Sequence, residues 1–234
     1  MFDVSDVTVR FGGVVALDSV SAQFTAPVSG IIGPNGAGKT TLMNVISGFV
    51  RPVAGRVAME GQDLLRLAPH RRARWGLRRS FQKEEIAEDL TVCDNVLVQL
   101  DHARGQGRPE ALRMLDLVGL AGRADESAAR LNTFERRLAD IAKCLVGQPK
   151  LIMFDEPGGG LPMEETALLG DLLLAIHAET GAQVLVIDHD VELIRRVCTD
   201  TLVLDFGRRI AFGPTDAVLS DPKVKAAYLG TEEV

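Results

Sequence analysis

Residues 33–40, Gly33-Pro34-Asn35-Gly36-Ala37-Gly38-Lys39-Thr40, decide the fold, because they match the spacing G-x-x-x-x-G-K-[ST] of a phosphate-binding loop. Gly33, Gly36 and Gly38 carry no β-carbon, so the backbone can wrap a phosphate and turn its N–H groups inward. Lys39 offers a cation to the β- and γ-phosphates, and the Thr40 hydroxyl a ligand for Mg²⁺. The flanks agree. Residues 28–32 (VSGII) are short and apolar like a strand, and from Thr41 onward Leu42, Val45, Ile46 and Phe49 recur at the i, i+3, i+4, i+7 spacing of a helix face. The loop therefore stands at a helix N-terminus, whose dipole favours an anion. A glycine-rich turn with a chance lysine is the alternative, and the strand–loop–helix frame argues against it.

Working outward, residues 151–157 (LIMFDEP) form an apolar strand ending in two acids. Such a strand buries its side chains and delivers Asp155 and Glu156 to the carboxyl edge of a sheet, where α/β folds bind ligands. There Asp155 can hold Mg²⁺ through water, and Glu156 can orient or deprotonate an attacking water. The alternative is that both acids cap the following helix. A second apolar strand, residues 184–187, ends in Asp188-His189-Asp190. His189 at that edge can donate to a γ-phosphate, or it is a plain surface histidine.

Before about Gly61 the chain alternates as strands do, with Val7, Val9 and Phe11 on one face, and a small antiparallel layer is expected. Residues 81–143 turn mostly helical, with an apolar stripe through Leu112, Leu115 and Val118, interrupted at 105–109 (GQGRP) by an expected loop. After Pro149 strands and helices alternate: strands at 151–154, 184–187, 201–205 and 209–212, helices at 163–179 and 191–198. That order predicts an α/β core with a mainly parallel sheet. The expected organisation is a single nucleotide-binding domain over 1–234, with a core at 1–80 and 149–234 and an inserted helical subdomain at about 83–148.

A net charge of −6 argues against a general nucleic-acid binder. The six arginines within residues 66–79 (Arg66, Arg71, Arg72, Arg74, Arg78, Arg79), joined by His70, then read as a solvated helix face, with Trp75 packing beneath. No apolar run approaches the roughly 18 residues of a membrane span, and the N-terminus lacks a secretory pattern, so a membrane role must pass through a partner chain. Cys93, Cys144 and Cys198 are scattered singletons without metal-ligand spacing and read as small buried hydrophobes.

Taken together, the phosphate loop, Gln82 in RRSFQ, the segment from Leu131, the LIMFDEP strand and His189 resemble, in order and spacing, the ATP-binding subunits of ABC transporters over essentially the whole chain. The resemblance implies a P-loop ABC ATPase core with an antiparallel β layer and an inserted helical subdomain. It implies a nucleotide-binding set of Phe11, Gly33, Pro34, Asn35, Gly36, Ala37, Gly38, Lys39, Thr40 and Thr41, with Phe11 stacking on adenine unless it is a core residue. It further implies Mg²⁺ held by Thr40, Gln82 and Asp155, Glu156 as general base, His189 on the γ-phosphate, and Gln82 sensing both Mg²⁺ and a transmembrane partner. Residues 84–98 are expected to help line the groove for that partner. The FGG after the first strand, the SFQ around Gln82 and the VKAAYLG near the C-terminus look most like importers of branched-chain or other hydrophobic amino acids, with the lipopolysaccharide-export ATPase a close relative in pattern. Permease subunits, a second ABC subunit and a periplasmic binding protein follow as expected partners, and the cytoplasmic face of the bacterial inner membrane as the location. A soluble ABC ATPase acting on ribosomes or DNA usually carries two cassettes or long coiled-coil inserts, which this chain lacks. A regulatory module that binds ATP without productive hydrolysis is the other alternative.

Two segments depart from the family pattern. Where the family reads LSGGQ or LAYGD, the chain has Leu131-Asn132-Thr133-Phe134-Glu135, followed by an intact helical stripe and the basic pair Arg136-Arg137. In the family this segment closes over the nucleotide of the opposite subunit, and a phenylalanine in place of glycine obstructs that approach, although Asn132 can still donate a hydrogen bond. Residues 158–162 (GGGLP) place Pro162, which has no N–H, where a polar residue normally reaches across the dimer. Both departures concern a partner's nucleotide, while the groups for the chain's own nucleotide are present. The expectation is an asymmetric heterodimer whose opposite site is hydrolytically poor; the alternative is that the amino-acid branch tolerates loose signatures.

Overall fold

The computed structural model describes residues 1–81, 84–100 and 107–229. Its strands run in chain order as β1 (Phe2–Phe11), β2 (Val14–Phe24), β3 (Val28–Ile32), β4 (Ala54–Met59), β5 (Gln62–Asp63), β6 (Leu77–Arg79), β7 (Leu151–Asp155), β8 (Gln183–Ile187), β9 (Asp200–Asp205) and β10 (Arg208–Pro214). Its α-helices are α1 (Lys39–Ser47), α2 (Pro69–Trp75), α3 (Val92–Leu97), α4 (Gly107–Leu117), α5 (Thr133–Leu145), α6 (Met163–Thr180), α7 (Val191–Val197), α8 (Thr215–Ser220) and α9 (Pro222–Leu229). The early strands make an antiparallel sheet in the order β2-β1-β4-β5, and the later ones a sheet in the order β10-β9-β3-β8-β7-β6. In the larger sheet every pairing is parallel except that of β10 with β9.

Every residue of β3, β7 and β8 is buried, as a parallel sheet covered on both faces requires. Successive side chains then point into different cores. Ile152, Phe154, Val184 and Val186 join one apolar cluster with α3–α7, whereas Leu151, Met153, Leu185 and Ile187 join a second with α1 and the antiparallel sheet. Each fully buried aliphatic side chain contributes about 1.5–3 kcal/mol by removal from water. The strands are thereby fixed in register, so their carboxyl ends line up at one edge: the phosphate loop after β3, Asp155 at the end of β7, and Asp188 after β8, which lies between them.

Four local expectations need correcting. The helix after the phosphate loop stops at Ser47 because Gly48 takes a left-handed conformation (φ 90°), which puts Phe49 outside the apolar stripe and 62% exposed. Val7 and Val9 are buried but Phe11, at the tip of the β1–β2 hairpin, is 52% exposed, so it is not a core residue. Gly107, Arg108 and Pro109 open helix α4 rather than a loop, since proline's fixed φ suits a first helical turn. Finally, the arginine-rich stretch is not one solvated face. Arg72 is buried and its guanidinium donates to the Val45 and Ile46 carbonyls at the end of α1, each at 2.6 Å. Arg78 and Arg79 are also turned inward. Trp75 is half-buried under that segment, with the Lys150 ammonium 5.3 Å from its ring centroid.

Candidate active site

The phosphate loop is wedged between two parts of the chain. A β-carbon at Gly38 (φ 103°) would lie 2.8 Å from the Ala16 carbonyl oxygen, and one at Gly33 (φ 152°) 2.1 Å from that of Leu204. Only glycine allows both the dihedrals and the approach. The Gly207 N–H donates to the Ala37 carbonyl at 3.0 Å, and the Asp18 N–H to the Gly207 carbonyl at 2.8 Å, which ties the loop to the β9–β10 turn and to β2. Gly38 is the N-cap of α1 and no side chain caps it, nor is there an acid in the first turn. The helix therefore presents its leading N–H groups and the positive end of its dipole to the loop.

Lys39 is buried and its ammonium donates to the Gly33 carbonyl at 2.6 Å and the Pro34 carbonyl at 3.0 Å. Burial lowers its pKa from the ordinary lysine value, while Glu156 and then Asp155 act against that shift. The loop lysine and both acids of β7 thus share one electrostatic neighbourhood. Thr40 is exposed and Thr41 half-buried in the first turn of α1.

Asp155 is 4% exposed, and its Oδ2 accepts a hydrogen bond from Arg79 at 2.9 Å. Its Oδ1 is buried with no partner. A carboxylate oxygen left orphaned beside a phosphate loop, with the Thr40 hydroxyl in the same loop, is the oxygen donor set that Mg²⁺ takes, so these residues fit the ion. Glu156 is held at φ 53°, a conformation that costs a non-glycine residue energy and collects at functional sites. Its N–H donates to the Ile187 carbonyl at 2.7 Å, pinning it to the end of β8. Neither acid caps a helix, because α6 begins only at Met163 with Pro162 as N-cap.

His189 follows β8 with its side chain 63% exposed, and its Nδ1 lies 3.5 Å from Asp188 Oδ1. Asp188 itself is a residue that sequence reasoning passed over. It is fully buried, its Oδ2 accepts the Gly158 N–H at 2.8 Å and its Oδ1 the Asp190 N–H at 3.0 Å. It therefore joins the turn after Glu156 to the turn carrying His189. The signal was present, since Asp188 ends a buried apolar strand just as Asp155 does. Gln82 lies outside the described residues.

Leu131 and the N-cap Asn132 lead into α5, whose first residues are Thr133, Phe134 and Glu135. The Asn132 side chain accepts the Glu135 N–H at 2.8 Å and the Glu135 carboxylate accepts the Asn132 N–H at 2.9 Å, a complete capping box. Asn132 thus uses its oxygen to close its own helix end. Burial raises the Glu135 pKa, but the Asn132 N–H and the Arg123 guanidinium outweigh it and leave the carboxyl below the usual range. Phe134 is half-buried in the first turn.

A cavity of about 520 Å³ is lined by residues that include Phe49, Arg79, Phe81, Asn95, Val98 and Lys143. The Phe49 and Phe81 rings sit 6.3 Å apart at its wall. At its floor the Lys143 ammonium donates to Asp140 at 3.2 Å and to the Glu85 carbonyl. Burial pushes the Asp140 carboxyl up, with Lys143 opposing.

A phosphate loop at the head of a central parallel strand, with acids closing the next two strands of the same sheet, defines a P-loop nucleotide-binding protein. A family model described as "ABC transporter" matches residues 19–159, and one described as "Branched-chain amino acid ATP-binding cassette transporter" matches residues 208–234. The high-affinity branched-chain amino acid transport ATP-binding protein BraF of Pseudomonas aeruginosa is 32% identical, covering 98% of this chain and 98% of its own. LivG of Escherichia coli, with the same description, is 30% identical at 98% and 98%. The ADP conformation of MJ1267, an ATP-binding cassette of an ABC transporter, superposes with a TM-score of 0.88 at 29% identity, covering 98% of each chain. The chain belongs to the ABC transporter family and is an ABC-type ATPase, whose ATP hydrolysis is coupled to transport. Among the described residues no helix is long and apolar enough to cross a membrane.

Proposed function

We propose that this chain is the ATP-hydrolysing subunit of a bacterial importer for branched-chain or related amino acids or small organic solutes, working at the cytoplasmic face of the inner membrane. The observation that carries the reading is the convergence of Lys39, Asp155 and Glu156 at one sheet edge, where both acids act on the buried ammonium. The similarity to BraF and LivG supports the substrate class.

Lys39 and the loop N–H groups bind and orient the phosphates, so that catalysis is positioning plus charge stabilisation. Thr40 and Asp155, with Gln82, would hold Mg²⁺, which when bound neutralises phosphate charge. Glu156 accepts the proton of the attacking water, His189 donates to the γ-phosphate, Phe11 offers its exposed ring to adenine, and Gln82 completes the set. The cavity walled by Phe49 and Phe81 receives a permease segment. A binding protein delivers solute to that permease. The second nucleotide-binding subunit is a different chain with an unaltered signature, a reading supported by the capped, acidic start of α5 and by Pro162.

Thermal unfolding with and without Mg-ATP tests the phosphate site. At ligand near 100 times Kd the parent gains about 2.7 kcal/mol, roughly 5–11 °C in Tm for a chain of this size. Lys39→Ala should retain the fold and lose that shift. A shift equal to the parent's would remove the phosphate-loop assignment.

A further inference from the structure

Arg79 stands at a junction that nothing above assigns. Its side chain is only 6% exposed. One terminal nitrogen donates to the Asn44 side-chain oxygen at 2.7 Å and to Ser47 Oγ at 3.2 Å, both on α1, which carries the phosphate loop at its other end. The other terminal nitrogen donates to Asp155 Oδ2 at 2.9 Å. The Phe81 ring lies over the guanidinium, its centroid 5.0 Å away, and both residues line the cavity. A guanidinium held this way has a fixed plane, because the fork, the strand β6 and the ring each remove a freedom. Of the two oxygens of Asp155, the arginine takes Oδ2 and leaves Oδ1 orphaned and buried.

We propose that Arg79 is a positioning residue for the metal: it locks Asp155 through Oδ2 so that Oδ1 is presented to Mg²⁺ beside the phosphate loop. The proposal rests on the reading of Asp155 as a Mg²⁺-holding group. Two physical effects support it. A carboxylate this buried needs a counter-charge, and removing Arg79 takes away the one hydrogen-bonded to it, leaving the Lys39 ammonium, which bonds neither oxygen, and the carboxylate free to turn away. Carboxylates that hold a metal are in turn hydrogen-bonded, and loss of such outer partners weakens metal binding by about 10–100-fold. The adjacent positive charge also competes with the ion for the carboxylate, so a simple Coulomb account predicts the opposite sign. The fixed geometry and near-complete burial make orientation the larger effect.

The test is the affinity of the full chain for ATP measured twice, in excess Mg²⁺ and in EDTA, with the ratio as the readout. Arg79→Ala should reduce the Mg²⁺ enhancement on the order of tenfold while leaving metal-free ATP binding within about twofold of the parent. Arg79→Lys, which keeps the charge but not the fork, should fall between, and covers the case in which the alanine variant does not fold. Asp155→Asn should abolish the enhancement. A parental enhancement in Arg79→Ala or Arg79→Lys, a tighter one, or an equal loss with and without Mg²⁺ would overturn the proposal while Asp155→Asn still behaves as expected. An unchanged enhancement in Asp155→Asn would instead overturn the assignment of Asp155, and this inference with it.

Discussion

Two helix N-termini in this molecule are built in opposite ways. At the start of α1 the N-cap is Gly38, no side chain bonds the leading N–H groups, and no acid sits in the first turn. At the start of α5 the N-cap is Asn132, a reciprocal box with Glu135 occupies two backbone donors, and the acid stays ionised beside Arg123. Both ends carry the same dipole, but only one is free to meet an anion. The first helix gains nothing from capping and leaves its donors for a ligand. The second stabilises itself by about 1 kcal/mol through its cap, and its own carboxylate occupies the place where an incoming phosphate would need those donors. The difference teaches that an open helix end is a choice written in two or three residues, and in the proposed function that choice separates groups for the chain's own nucleotide from groups for a partner's.

The comparison can be broken first at the site held to be intact. Glu156→Gln preserves shape and removes the proposed base, so turnover in the assembled complex should fall by about 10²–10⁴-fold, the usual contribution of general base catalysis, with ATP binding kept. Parental turnover would show that the acid at φ 53° is a structural corner and that the two regions do not differ in chemistry.

It can be sharpened at the other site. Replacing Phe134 by Gly together with Glu135 by Ala reopens the start of α5, since alanine cannot close the box from N3. Steady-state hydrolysis by the isolated chain should rise several-fold, at a stability cost of about 1 kcal/mol for glycine in a helix plus part of the capping contribution. Unchanged hydrolysis at retained stability would mean that these two side chains are not what closes that helix end.

Much of this architecture is legible in the sequence for a definite reason. Strands β7 and β8 are buried on both faces, so apart from Gln183 at the start of β8 their residues are apolar up to the acids Asp155 and Asp188, which stand out where each strand ends. The phosphate loop is legible because Gly33 and Gly38 answer to contacts that no other residue tolerates. Arg79 and Arg72 are not legible. By composition they belong to a charged surface run, and what turns them inward is the Asn44 oxygen and Asp155 in one case and the carbonyl end of α1 in the other, partners 26–76 residues away in the chain. Phe49 misled for a smaller reason. Its spacing fits the helical stripe, but Gly48 ends the helix one residue earlier and sends the ring to the cavity wall. Asn132 reads as a donor by residue type, yet its oxygen is the atom that matters, because Glu135 stands three residues on.

The central claim is that this chain's own site is sound and waits on a partner to close it. The most direct measurement is steady-state ATP hydrolysis by the chain alone, then with a partner subunit carrying an unaltered signature, with the catalytic acid of each subunit replaced in turn. The account predicts slow hydrolysis by the chain alone, a rise on adding the partner, and a loss that is far greater when Glu156 is replaced than when the partner's acid is. Brisk hydrolysis by the chain alone, or equal loss from either replacement, would contradict it.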